Sequence, residues 1–402
     1  MRVAIVGAGL GGLCLAHGLR RTGIETVVLE RHPTPAARPA SYGIHLNADG
    51  LRALHACLSE QNWARLVETT VPAPDIVRFH DQQLRVLATR DHTATAANLD
   101  PVTRRRAANR DTLRDALLIG CDDVIRWGVS YDHHEIVGDH VVVHCADGSQ
   151  VTADLLVGAD GSNSRVRGQR LPGLHRQDLG ILNISGRVPL TSELAAELPA
   201  SLADGAVNNI VPARPGWMFV STWDVITERY VVWAWAADRG TYPADVETLS
   251  GADLHAIVTD RVAGWAPPLR RLVAATDPGT MAAIPLKTMP PVPDFQPERV
   301  TLIGDAIHNM TPMAGIGANT ALRDAETLRE CLAGPGTVTD RVGRYETRMR
   351  EYANAALAVS TRNARNAATT ARIPRRAFRT VLRIAEAVPP LKHRMFAAPE
   401  PR

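Results

Sequence analysis

The residues with the clearest chemical potential stand at the amino terminus, in Gly7-Ala8-Gly9-Leu10-Gly11-Gly12. They follow an apolar run (residues 3–6) and open a helical pattern rich in Ala and Leu. A second apolar run (residues 26–29) ends on Glu30. Strand, glycine turn, helix, strand and acid, in that order, make a dinucleotide site. Gly7 allows a tight turn, Gly9 lets backbone approach a pyrophosphate, and Gly12 lets helix and strand pack closely. The helix N-terminus at Leu10 and Gly11 offers unpaired N–H groups and positive dipole charge to the phosphates. Glu30 stands where a carboxylate can hold ribose hydroxyls.

Two further stretches carry the same kind of chemistry. In residues 155–167 a buried strand ends in Asp160-Gly161, with Ser164 and Arg167 following. In residues 300–319 a buried strand ends in Gly304-Asp305, and a turn with Pro312, Gly315, Gly317 and Asn319 opens a helix. Asp160 and Asp305 could each be ordinary helix N-caps, which Asp favours; their setting beside glycine-rich turns points to a ligand. Arg110 opens the amphipathic run RDTLRDALL. A cation there opposes the helix dipole, so a nearby anion is the better explanation. Arg104-Arg105-Arg106 reads as a solvated run, with steering of NAD(P)H as the alternative. His45 and His308 border the site, and neither is assigned as a base.

These motifs need elements to position them. Residues 46–58 read as a helix and residues 76–88 as a hairpin turning at Asp81-Gln82. Residues 124–157 alternate with the strand period, and a second strand-rich block covers about 180–237. Proline-rich sequence at 266–293 leads back to the strand before Gly304, and alanine-rich helical sequence fills 340–388. The order describes a discontinuous α/β nucleotide domain interrupted by a sheet domain, with ligands in the crevice between them. In residues 181–187 Asn183, Ser185 and Arg187 share one strand face and are candidate substrate contacts, a solvated face being the alternative. Trp235 joins them. Trp217, Trp223, Trp233 and Trp235 offer aromatic area to a flat ligand or to a core.

Together the three motifs resemble the single-component flavin-dependent aromatic hydroxylases, typified by p-hydroxybenzoate and salicylate hydroxylases, over about residues 1–335. The chain looks most like the smaller members, such as urate hydroxylase and the tetracycline-inactivating monooxygenases. The resemblance implies a Rossmann-like FAD-binding domain in three pieces (1–72, 100–179 and 276–335). It implies a substrate-binding β-sheet domain (73–99 and 180–275) and a C-terminal helical segment (336–402). It implies bound FAD, NADPH or NADH as transient co-substrate, and O2. The activity implied is hydroxylation or epoxidation of an aromatic or electron-rich small molecule through a C4a-hydroperoxyflavin.

By position, the resemblance gives Gly7, Gly9, Leu10, Gly11 and Gly12 to the pyrophosphate, Glu30 to the adenosine ribose and Arg31 to the adenine end. Arg110 reaches the pyrophosphate and ribityl region, Asp160 serves FAD and nicotinamide steps, and Asp305 bonds ribityl hydroxyls. Pro312 lies beside flavin C4a. Gly315, Gly317 and Asn319 form a turn whose N–H groups face the flavin N1/O2 edge. Ile307 stands where the family usually has alanine. The one glycine fingerprint is used by FAD, so the nicotinamide cofactor is expected to bind transiently on the outside. An oxidase or reductase on the same fold, without oxygen insertion, is the alternative; a flavin-binding regulator is a third reading. Against a halogenase, Ala236-Ala237 follow Trp233-Ala234-Trp235 where Ile-Pro is expected, and residues 32–100 contain no lysine.

Composition sets the outer limits. The chain has 402 residues, 45% hydrophobic and 22% charged, as ordinary globular proteins do. No apolar run approaches the roughly 18 residues of a membrane span, and no nucleic-acid module is recognisable. With a strand expected from residue 2, no signal peptide is expected, and Cys14, Cys57, Cys121, Cys145 and Cys331 lack any C-x-x-C spacing. A reducing cytoplasm is expected, and a metal is not. Residues 361–402 hold ten Lys/Arg against two acids. They are expected to form a solvated helical face with Phe378, Val381, Leu382 and Ile384 packed inward, contact with a partner or anionic surface being the alternative. Monomer or dimer is left open.

Overall fold

The computed structural model describes residues 1–37, 43–225 and 228–396. The chain divides into two compact units. The first comprises Met1–Val71, Pro101–Gln177 and Lys287–Thr361; the second comprises Pro72–Asp100, Asp178–Leu286 and Arg362–Arg402.

The first unit is built on a five-stranded sheet in the order Val300–Leu302, Leu155–Gly158, Arg2–Val6, Glu25–Glu30, Ile125–Trp127. Every pairing is parallel. Parallel strands are covered on both faces, which is why they read as unbroken apolar runs; Val3, Ala4, Ile5, Val28, Leu155, Leu156 and Val157 are all fully buried. The helix Leu10–Arg21 buries Leu13, Leu15 and Leu19 and packs against the helices Ala48–Cys57 and Gly317–Ala333. A separate antiparallel sheet, Tyr131–Val137, His140–Cys145 and Gln150–Ala153, turns Val141, Val143, Val151 and Ala153 inward.

The second unit is built on a seven-stranded sheet. Its order is Ala282–Thr288, Gln177–Pro189, Glu228–Asp238, Trp217–Val225, Val207–Ile210, Ile76–His80, Val86–Asp91. On one face Leu182, Ile184, Met218, Val220, Trp233 and Trp235 form a core with Leu254, Val258, Leu269 and Leu272. Trp233 Nε1 donates to Thr276 Oγ1 at 2.8 Å, so its one polar atom is satisfied inside that core. The core-covering helices Gly251–Val262 and Pro267–Ala274 lie where sequence reasoning found only proline-rich connection or nothing. The signals were present: Ser250 and Asp253 form a capping box. Pro267 and Pro268 occupy the first turn, where a missing N–H costs nothing.

The C-terminal residues differ from expectation in two ways. Residues 336–402 are not one segment, since those up to Thr361 belong to the first unit and those from Arg362 to the second. In the helix Arg372–Ala387, Leu382 and Ala385 are buried, but Val381 and Ile384 are 44% and 48% exposed. The inward face is anchored instead by a buried cation. Arg375 donates to the carbonyls of Pro212, Gly216, Ala367 and Thr369, and burial lowers its pKa to about 10.

Candidate functional site

The three motifs end three neighbouring parallel strands. Val300–Leu302, Leu155–Gly158 and Arg2–Val6 lie side by side and run in one direction. Their C-terminal loops, carrying Asp305, Asp160 and Gly7–Gly12, therefore share one sheet edge, where open parallel sheets bind ligands. Glu30 ends the next strand on the same edge.

Each glycine of the first turn has its own reason. Gly7 has φ +109, and a Cβ there would lie 2.5 Å from Ala159 O. A Cβ on Gly12 would lie 2.1 Å from Gly7 O, so no side chain fits under the helix. Gly11 faces the helix Gly317–Ala333, 3.2 Å from Ala321 O by the same measure; this packing role was not read from the sequence. Gly9 alone opens onto empty space. It caps Leu10–Arg21 with no side-chain acceptor for the first N–H groups, and Leu10 itself is buried. Glu30 is buried, its carboxylate accepting from Ala8 N at 2.9 Å and His32 N at 3.0 Å. The acid thus ties the strand end to the glycine turn. Arg31 is exposed.

Asp160 works as a cap. Its Oδ2 accepts from Arg165 N at 2.8 Å and Val166 N at 3.3 Å, while Ser164 Oγ accepts from Arg167 N. Arg167 is buried and donates to Ser162 O and Ala306 O, joining the Asp160 loop to the Asp305 turn. Gly304 takes φ +61, and Asp305 starts the short helix Asp305–His308. The Asp305 carboxylate accepts no hydrogen bond among the described residues, unlike that of Asp160.

Beneath this turn lies a network the sequence did not reveal. Asp324, fully buried, accepts from Gly304 N, His308 Nε2 and the Tyr352 hydroxyl, each at 2.6 Å. Burial opposes a charged imidazole on His308, yet the Asp324 carboxylate outweighs it and raises the pKa above the ordinary histidine value. His45 is the opposite case: burial, with Arg105 nearby, pushes its pKa well down.

Pro312 is exposed at the start of the turn Pro312–Ala314, and Gly315 takes φ +65. Gly317 begins a 17-residue helix with neither a side-chain cap nor an acid in its first turn. Asn319 differs from the rest of the turn because its side chain is already engaged. It accepts from Asn47 N and donates to His45 O, each at 2.9 Å. Arg110 is exposed at the first position of Arg110–Leu118. The supposed solvated run is only partly so: Arg106 binds Thr70 Oγ1, Thr70 O and Val67 O.

The four substrate candidates, all in the second unit, do not share a face. Asn183 pairs with Ala236, Ser185 with Ala234 and Arg187 with Val232, whereas Trp235 pairs with Ile184. Trp235 therefore points with Ile184 into the hydrophobic core, its ring 5.3 Å from that of Trp265. The face of Asn183 and Ser185 carries Trp217, Phe219 and Trp223 instead. Arg187 is ion-paired to Glu228 and sits 3.9 Å over the Tyr230 ring.

The family described as FAD binding domain matches residues 1–361. The chain belongs to this FAD-binding family. Its fold matches a crystal structure of a protein described as an FAD-containing monooxygenase from Photorhabdus luminescens subsp. laumondii TTO1. That match has a TM-score of 0.82 and 37% identity, covering 91% of this chain and 98% of the other. The FAD-dependent urate hydroxylase of Klebsiella pneumoniae subsp. pneumoniae is 28% identical over 365 residues, 88% of this chain and 85% of that protein. The dual O-methyltransferase/FAD-dependent monooxygenase elcB of Phaeosphaeria nodorum is 28% identical over 376 residues, 82% of this chain. The chain spans about two fifths of that relative's length, 40% being aligned. Among the described residues no helix is long and apolar enough to cross a membrane.

Proposed function

We propose that this chain is a monooxygenase that uses FAD, NADPH or NADH, and O2 to hydroxylate or epoxidise an aromatic or electron-rich small molecule in the cytoplasm. The observation that carries the reading is the shared sheet edge. It brings together a glycine turn open at Gly9, an uncapped helix N-terminus at Leu10, the uncommitted carboxylate of Asp305 and a second uncapped helix at Gly317. These residues fit FAD. Gly9, Leu10 and Gly11 would hold the pyrophosphate, Glu30 and Arg31 the adenosine, Arg110 and Asp305 the pyrophosphate–ribityl stretch, and the turn from Pro312 to Asn319 the flavin ring. When bound, FAD supplies electron transfer from the nicotinamide and activation of O2.

The chain's own contribution is electrostatic and positional. The N–H groups of Gly317, Ala318 and Asn319 place positive dipole charge where the flavin ring would carry negative charge. Asn319 contributes through its backbone, because its amide is tied to residues 45 and 47. His308 cannot accept a substrate proton, being wholly buried and paired to Asp324. Asn183, Ser185 and Arg187 remain substrate candidates; Trp235 acts through core packing. Asp160 holds its loop through Oδ2, and its Oδ1, which makes no hydrogen bond among the described residues, would serve the FAD and nicotinamide steps.

Isotopically labelled O2 decides the reaction class. With a substrate that stimulates NAD(P)H oxidation, the product gains one labelled oxygen atom. Label arriving from water, or full turnover without O2, would overturn this reading in favour of the reductase. A second prediction separates the two aspartates. Asp305→Ala weakens FAD binding roughly ten- to a hundredfold, the cost of a lost hydrogen bond to a charged group. Asp160→Ala instead lowers stability by about 1 kcal/mol, the value of a cap. FAD titrations and thermal melts of the two flavin-free variants read this out, and equal FAD affinities would refute it.

A further inference from the structure

The solvent face of the small antiparallel sheet in the first unit carries a group of side chains with no part in the nucleotide site. His133 lies directly across from His144, and Glu135 lies two residues along the same strand. In a strand, residues two apart point to one side, so all three project from the face opposite Val141, Val143 and Cys145. Gln150 lies across from His144 on the third strand. The two imidazoles stack, centroids 4.2 Å apart and planes within 5°. His133 Nε2 is 3.8 Å, and His144 Nε2 3.7 Å, from the same oxygen, Glu135 Oε1. The ligand atoms of all three lie within 4.8 Å of one another.

The outer contacts matter as much as the cluster. His133 Nδ1 lies 2.9 Å from Asp132 Oδ2, and His144 Nδ1 lies 3.2 Å from the Gln150 side-chain amide. His133 can donate from Nδ1 to Asp132 and keep Nε2 open to an ion, whereas His144 Nδ1 faces the Gln150 amide nitrogen and opens Nε2 to an ion once that amide is turned so that its oxygen accepts from Nδ1. His144 Nε2 is buried and makes no hydrogen bond among the described residues. Metal-binding histidines commonly donate one ring N–H to a carboxylate or carbonyl oxygen and place the other nitrogen on the ion, the arrangement His133 has with Asp132. Two imidazoles with a carboxylate match the ligand set that zinc prefers over calcium or magnesium.

We propose that His133, Glu135 and His144 bind one divalent transition-metal ion of the zinc type, with water completing the coordination. Bond lengths of about 2.0–2.2 Å put neighbouring ligand atoms roughly 3.3 Å apart in a tetrahedral site. The 3.7 and 3.8 Å separations are near that spacing, and the stacked rings must tilt toward each other to bring both Nε2 lone pairs onto one ion. The ion would clamp the hairpin, because its ligands come from both strands. It would stabilise the folded chain by RT ln(1 + c/Kd), where c is the free Zn2+ concentration. The spacing His133-x-Glu135 with a cross-strand His144 is invisible as a sequence motif, since the pairing register creates it.

The test uses the full-length flavoprotein, stripped with chelator and titrated with Zn2+ alone by calorimetry. One equivalent binds with a Kd of micromolar order, and Tm rises with added Zn2+. His144→Ala and Glu135→Gln each weaken binding at least tenfold. His140→Ala, at the edge of the same face, binds as wild type does. Crystals of the wild-type protein soaked in Zn2+ give an anomalous peak between the two Nε2 atoms and Glu135, a readout independent of any variant's folding. Binding weaker than millimolar, unchanged affinity in both site variants, or an anomalous peak elsewhere only would overturn the proposal.

Discussion

Gly12→Ala yields a protein that does not retain FAD and melts at lower temperature, whereas Gly9→Ala yields a normally stable protein with weakened FAD binding. The contrast follows from what each Cβ would meet. At Gly12 it would lie 2.1 Å from a backbone oxygen that cannot move without opening the glycine turn. Overpacking of that kind costs about 1–3 kcal/mol or more, and the displaced turn loses the phosphate site; at least a hundredfold loss of FAD affinity is expected. At Gly9 the backbone is extended, φ −83 and ψ −177, which alanine adopts freely. No atom lies within 4 Å of the added methyl. Stability of the flavin-free chain should change by less than about 1 kcal/mol. FAD affinity falls tenfold or more because the methyl occupies the pyrophosphate's approach. Melting curves of the flavin-free proteins and FAD titrations check both arms. A Gly9→Ala variant that binds FAD as tightly as wild type would remove Gly9 from the site.

The contrast also shows which features are legible in a sequence. Gly7, Gly9, Gly12 and Glu30 belong to one local βαβ unit, where chain order and spacing fix neighbours. Asp160 and Asp305 are readable for the same reason, each ending a strand. What Asp160 does with its carboxylate is less legible. A cap and a ligand look alike in sequence; Oδ2 accepts from Arg165 and Val166 as a cap does, while Oδ1 is buried with no hydrogen bond among the described residues.

Long-range pairing is where sequence reasoning stops. Alternation places Trp233 and Trp235 on one face, and Asn183, Ser185 and Arg187 on one face. Only the register Ile184↔Trp235 shows that these faces are opposite. A shift of one residue would have reversed the answer. Asn319 was assigned from its place in a glycine-rich turn, yet its amide is bound to residues 272 and 274 positions away in the chain. Arg106 looked solvated because it stands among arginines, but the strand that contains it turns its guanidinium onto Thr70. The apolar residues Val381 and Ile384 fit an inward helical stripe, and the buried Arg375 shows that the packed face lies elsewhere.

Asp324→Ala should be among the most damaging single changes in the chain. Removing the carboxylate strands the Gly304 N–H, the His308 imidazole and the Tyr352 hydroxyl in a fully buried place. Breaking a buried charged pair from one side costs about 3–5 kcal/mol. It also frees the Gly304-Asp305 turn, so FAD affinity falls with stability. The pH dependence identifies the cause. The His308 pKa is raised in the folded protein, so its ion pair contributes fully below the unfolded value of about 6.5. That contribution fades as pH rises through the folded pKa. The Tm difference between wild type and Asp324→Asn should therefore be largest near pH 6 and shrink toward pH 9. A difference that stays constant across that range would mean His308 carries no extra proton in the folded state. The hydrogen bonds to Gly304 and Tyr352 would then account for the whole effect of Asp324.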